Sequence, residues 1–166
     1  MKIVLLTLCT FTLLLSCKKE STPAPALIYP EGRGMIGVVG KDSFNASSMD
    51  AHIHYHLSTG KYSMNMGTMD KKSGQIISFF FKDFEYSPKR YELVPRLMGT
   101  EDFWYNNFAS TTFDNEKFDN NKNGYLSIDK QVAQELIGSF DFSTISNVRI
   151  QGTFRYELIY PIDTVE

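Results

Sequence analysis

The clearest pattern in this chain is alternation. Between Ala51 and Ser58, Ile53, Tyr55 and Leu57 fall on one face of an extended strand. His52, His54, His56 and Ser58 fall on the other. Thr59-Gly60 reads as a two-residue turn. A hairpin closed there sets Leu57 against Tyr62, Tyr55 against Met64 and Ile53 against Met66. The opposite face then pairs His56 with Ser63, His54 with Asn65 and His52 with Gly67. One register sorts both strands into an apolar and a polar face, and a slip of one residue would undo the sorting.

Other segments follow the same rule. Gln75 to Asp83 contains Ile76-Ile77-Ser78-Phe79-Phe80-Phe81, apolar on both faces, as in a strand covered on both sides. The turn before it is Asp70 to Gly74. Ser87-Pro88-Lys89 punctuates before a strand from Tyr91 to Val94, and another strand is expected within Asp102 to Ser110. Lys130 to Ile137 is the stretch with room for a helical turn or two. Near the C-terminus, Gly138-Ser139-Phe140-Asp141-Phe142 and Gly152-Thr153-Phe154-Arg155-Tyr156 repeat one pattern of glycine, hydroxyl, Phe, charge and aromatic. They predict two antiparallel strands joined through Ser143 to Asn147, with Ile150, Phe154, Tyr156, Leu158 and Tyr160 inward. Gln151, Thr153, Arg155 and Glu157 would face out. Short strands at roughly ten-residue spacing point to an all-β fold, an antiparallel β-sandwich ahead of a β-barrel-like alternative.

The first residues do not fit this scheme. Lys2 precedes an apolar stretch from Ile3 to Leu15, too short for a permanent span and suited to a signal core. Leu14-Leu15-Ser16-Cys17 resembles the bacterial lipobox. That resemblance implies a signal peptide over 1–16, lipidation of Cys17 and a membrane anchor through several acyl chains. Lys18, where aspartate would signal inner-membrane retention, implies the outer membrane, with periplasmic and surface sides both open. Residues 17–33 hold Pro23, Pro25 and Pro30 among polar neighbours and read as the lipidated cysteine and a flexible tether. Leu27, Ile28 and Tyr29 supply an apolar run for docking. The remaining 34–166 form one β domain.

Composition narrows the function classes. Of two cysteines, Cys9 leaves with the signal and Cys17 is capped, so neither disulfides nor thiolate metal sites are expected. Losing Lys2 from 17 basic residues leaves 16 against 19 acidic ones, a net charge of about −3. No basic excess is present for nucleic acid.

Several blocks together resemble a family of bacteroidete lipoproteins of unknown function. They are the lipobox, Met35-Ile36-Gly37-Val38-Val39-Gly40-Lys41 with Phe44, Gly124-Tyr125-Leu126-Ser127-Ile128, and the closing pair Ile137 to Phe142 and Val148 to Phe154. The start Cys17-Lys18-Lys19-Glu20 is similar to that of many such lipoproteins. The resemblance spans most of residues 34 to 158 and implies an all-β domain, with no activity attached. The family commonly carries tryptophan where this chain has Phe44.

Three places could carry chemistry. All three histidines, His52, His54 and His56, lie at spacing two. On a strand this puts them on one face about 6.5–7 Å apart, and imidazole ligates zinc, copper or nickel. Three in line fit a tetrahedral site poorly and would need a carboxylate from elsewhere. The second place, Asp119 to Lys130, resembles an EF-hand calcium loop, with Asp119, Asn121 and Asn123 at positions 1, 3 and 5 and Gly124 at 6. Lys130 stands where the bidentate glutamate belongs, and a turn between strands is the plainer reading. The third is Trp104-Tyr105, able to stack on a sugar ring or anchor a partner, with core packing as the alternative. No nucleophile elbow, phosphate loop or dinucleotide fingerprint is present in the sequence. The expectation is a non-enzymatic binding or accessory module for an envelope protein or glycan, needing no cofactor. The alternative is a lipoprotein that binds zinc or calcium.

Overall fold

Alternation becomes strand throughout. The computed structural model describes residues 26–95, 106–113, 117–157 and 163–165. Its strands are β1 (Gly34–Val39), β2 (Asp42–Ala46), β3 (Asp50–His56), β4 (Lys61–Met69), β5 (Ile76–Phe84) and β6 (Lys89–Glu92). They continue with β7 (Phe108–Phe113), β8 (Lys117–Val132), β9 (Glu135–Thr144), β10 (Arg149–Glu157) and β11 (Asp163–Val165). No helix occurs among the described residues.

The strands form one sheet in the order β11-β3-β4-β5-β7-β8-β9-β10-β1-β2. Every pair is antiparallel except β11 with β3. Strand β8, 16 residues long, belongs to both halves. Its first part pairs with β7, its later part with β6, and its other edge with β9. The sheet curls into a half-barrel, so its two halves face each other across one core as sandwich layers do. The all-β antiparallel fold expected from the sequence is what the structure has.

The halves meet through aromatic rings. Phe79 of β5 lies 5.3 Å from Phe140 and 5.7 Å from Phe142 of β9, ring centre to ring centre. Met35, Met64, Met66, Phe81, Leu126 and Phe154 are buried in the same cluster. Phe80 and Phe108 stack at 5.3 Å on the other side of the sheet, which explains why β5 is apolar on both faces. Ile150, Phe154 and Tyr156 are buried as the alternation predicts.

The C-terminal repeat has a packing cause. Gly138 pairs with Phe154, and Gly152 pairs with Phe140. A Cβ at Gly138 would stand 2.3 Å from Phe154 Cζ, and one at Gly152 would stand 2.7 Å from Phe140 Cζ. Each glycine leaves room for the ring of the opposite copy, so the repeated Gly-x-Phe is a reciprocal pair.

Two corrections concern local structure. The hairpin of β3 and β4 slides by two residues from the expected register. His56 pairs with Lys61, Tyr55 with Tyr62, His54 with Ser63 and Ile53 with Met64. A two-residue turn of the common type needs a left-handed residue at both positions, and β-branched Thr59 resists that conformation. The loop instead takes Leu57 to Gly60. The amides of Thr59 and Gly60 both donate to the His56 carbonyl, and Gly60 alone is left-handed, at φ 68°. A slide of two preserves the faces, so the apolar and polar sorting survives. The second correction is at Lys130 to Ile137, where no helical turn forms. Strand β8 runs to Val132 and turns back through Ala133, at φ 52°, into β9.

The curl is tied at one corner. The β4–β5 turn begins at Asp70, whose Oδ1 accepts from the Lys72 amide at 2.8 Å. Its Oδ2 accepts from the Asn45 amide of edge strand β2 at 3.3 Å. Thr68 donates its hydroxyl to the Ser48 carbonyl beside it. The end of the expected tether is also held. Thr153 Oγ1 donates to the Ile28 carbonyl at 2.5 Å, and an Arg155 guanidinium nitrogen donates to the Glu31 carbonyl at 3.1 Å.

Candidate functional site

The outer face of β3, β4, β5 and β7 carries a depression of about 430 Å³. Register explains its shape. Row by row, His52 stands beside Asn65, Asn65 beside Phe80, and Phe80 beside Phe108. In the next row Asp50 pairs with Gly67, and Gly67 with Ser78. Gly67 has no side chain to fill the middle, and a Cβ there would meet Ser78 Oγ at 3.3 Å. The result is a polar rim of Asp50, His52, Asn65 and Ser78 over an aromatic base.

The three histidines share this outer face but not one environment. His52 is exposed, while His54 and His56 are half-buried. His56 Nε2 lies 2.8 Å from Ser63 Oγ, in hydrogen-bond contact. His54 Nδ1 is buried and has no hydrogen-bond partner among the described residues. Strand β11 runs parallel to β3 and sets Asp163 in register with His54. Among the described residues, no three of His, Cys, Asp and Glu group closely enough to hold a metal ion.

The calcium-loop pattern has a different structure from the one its residues suggest. Asp119, Asn121 and Asn123 lie along β8, which pairs with β7 up to Asn120 and with β9 from Asn121, so neither a metal loop nor a turn between strands forms. Asn121 is fully buried and its Oδ1 accepts from the Ala109 amide at 2.8 Å. Asp119 Oδ2 accepts from the Ser146 amide at 3.3 Å. A register shift between Asn121 and Asn123 leaves Asn123 exposed. The Asp119 carboxylate and the Asn121 amide oxygen are thus each bonded to a different backbone amide. Cys17 and the pair Trp104-Tyr105 lie outside the described residues.

A second, larger depression of about 630 Å³ lies on the outer face of β1, β2, β8, β9 and β10. Ile36, Val38 and Tyr125 form its apolar floor, and Leu27 and Ile28 stand at its border. The Tyr125 ring carries the Arg90 guanidinium 3.7 Å from its centre. Asp141, also in the lining, receives two hydrogen bonds from Arg149, at 3.0 and 2.6 Å. The Tyr29 hydroxyl donates to Asp129 at 3.0 Å. Partial burial, and then this carboxylate, hold the Tyr29 phenol above its ordinary pKa.

Sequence reading placed the histidines and Asn65 on one polar face but found neither depression. Each is built from strands distant in the chain, and the signals that remain, Gly67 within a strand and Phe80 opposite the core-facing Phe79, acquire meaning only with the register. Compared with known protein families, curated proteins and solved structures, the chain matches none.

Proposed function

We propose that this chain is an outer-membrane lipoprotein, cut before Cys17 and lipidated there, of the bacteroidete type its motifs resemble. Its β domain acts as a non-enzymatic binding or accessory module for an envelope glycan or protein. The observation that carries this reading is the depression over Gly67. Asp50, His52, Asn65 and Ser78 offer hydrogen-bonding groups around an apolar base, the combination by which a shaped surface takes up a polar ligand with apolar patches. The test compares the lipidated wild type with Gly67→Leu, whose side chain fills the depression. Binding to purified cell-wall glycan and crosslinking to outer-membrane proteins are measured for both. Loss of either in Gly67→Leu, with an unchanged melting temperature, supports the reading. Equal behaviour of the two proteins refutes it. Mass spectrometry of Cys17 and of Cys17→Ser tests the anchor separately.

Zinc binding by the histidine row is a second reading, favoured by one observation. Among the described residues His54 Nδ1 is buried without a hydrogen-bond partner, and the β11 backbone sets Asp163 in register with His54. Zinc at about a hundred times its dissociation constant would add roughly 2.7 kcal/mol to stability. A zinc-dependent rise in melting temperature that disappears in His54→Ala supports it, and an unchanged melt removes it.

A further inference from the structure

We infer that the face bearing the larger depression rests against the lipid surface to which the chain is anchored. This rests on the reading that Cys17 is lipidated. Leu27 and Ile28 are 55% and 76% exposed, the only adjacent pair of large apolar residues so exposed among the described residues. Neither is loose, because the Ile28 carbonyl is fixed by Thr153 Oγ1 and the Glu31 carbonyl by Arg155. The backbone is therefore spent on holding two aliphatic side chains outward, beside a floor of Ile36, Val38 and Tyr125.

The occupant follows from where the chain leads. Leu27 is ten residues from Cys17, and ten residues reach at most about 35 Å when fully extended. The pair is thus the described apolar surface nearest in sequence to the acyl chains, within one tether length of the bilayer. Charge fits as well. Asp141 is the single charged residue of the lining, and Arg149 pairs with it through two hydrogen bonds. Nearby, Arg33 pairs with Glu157, and Arg90, over the Tyr125 ring, pairs with Glu92. A lining whose one charge is paired, with exposed aliphatic side chains and a tyrosine, meets the interfacial region of a bilayer at little electrostatic cost. Docking here would also turn the depression over Gly67, on the other half of the sheet, away from the lipid headgroups.

The test uses the lipidated full chain in vesicles of phosphatidylethanolamine and phosphatidylglycerol, some with brominated acyl chains. Because Cys17 is the only cysteine after cleavage, a single introduced thiol takes an environment-sensitive dye. Val38→Cys and Ser43→Cys report on the proposed face, and Ser58→Cys on the β3–β4 loop. The expected result is a blue shift and bromolipid quenching at 38 and 43, absent at 58. Both signals should fall at least severalfold in Leu27→Ser/Ile28→Ser while the protein still floats with the vesicles. Flotation with no quenching at 38 and 43 overturns the inference and leaves the anchor intact. Shielding at 38 and 43 without quenching, growing with protein density, means a second copy covers the face and also overturns it. Failure to float removes the anchor and the inference together.

Discussion

The ring of Phe154 occupies the space above Gly138, and no side chain on that glycine could coexist with it. A Cβ there would lie 2.3 Å from Phe154 Cζ and 2.1 Å from the Ser127 carbonyl oxygen. Gly138→Ala should therefore destabilise the domain by about 1–3 kcal/mol, the usual cost of overpacking. Phe154→Leu creates a gap on its own. Combined with Gly138→Ala it should cost less than the sum of the two, because the smaller side chain relieves one clash. The Ser127 carbonyl cannot retreat, so relief stays incomplete. Urea midpoints of the four proteins measure the coupling, and strict additivity would refute the pairing.

Asp70 links acid sensitivity to the closure of the curl. The Lys72 amide, and with it the amides of Asn45 and Ser73 and the Ser73 hydroxyl, holds its carboxyl below the usual range, against the opposing effect of burial. A carboxylate with a lowered folded pKa stabilises the protein fully above its unfolded value and loses that contribution as pH falls through the folded one. Asp70→Ala should cost about 1–3 kcal/mol at pH 7. The gap from wild type should narrow below the ordinary carboxylate range. A gap equally wide at pH 7 and in strong acid would show that the charge is not what matters.

Tyr91 should give the opposite, alkaline signature. It is buried, and burial first, then the Glu85 charge, raises its phenol pKa above 10.0, partly offset by the hydrogen bond from the Glu85 amide at 3.0 Å. The folded state keeps a proton that the unfolded state releases, so this contribution is present below the unfolded value and lost as pH rises past it. Ultraviolet titration should show a late phenol step to which both Tyr91 and Tyr29 contribute. Tyr91→Phe should shrink that late step by one phenol and cost about 1 kcal/mol through the lost acceptor.

Asn121 separates a strand from a calcium loop. Removing its carboxamide strands the Ala109 amide in the interior, so Asn121→Ala should cost about 1–3 kcal/mol. Calcium should leave the melting temperature of both wild type and variant unchanged. A calcium-dependent rise in the wild type that Asn121→Ala abolishes would mean that the segment leaves the sheet to bind the ion.

These residues also show what the chain discloses before it folds. Faces were legible wherever apolar and polar residues alternate, as at Ile53 and His54 or Phe154 and Arg155, since burial acts on each side chain locally. The β3–β4 register was not, because a slide of two residues keeps every face and only the reluctance of Thr59 decides between them. The length of β8 was hidden by Asn120, Asn121, Asn123 and Gly124, which favour turns in isolation. Here β7 pairs with Asn120 and β9 with Asn121, Asn123 and Gly124, and the pairing overrides the local preference. Asn45 and Asp70 sit 25 positions apart, and nothing in either residue announces the other. The depression over Gly67 was hidden for the same reason: its rim comes from three strands, and a fourth, β7, completes its base with Phe108.

The seat of β1 bears on how the domain carries mechanical load. Tension arriving from the N-terminus enters at Gly34, where β1 begins, and β1 is bonded to β10 on one side and β2 on the other. Pulled along its axis, such a strand strains two ladders in shear at once, whereas an edge strand would strain only one. The contacts of Ile28 and Glu31 to β10 would yield first, paying out slack before the sheet is stressed.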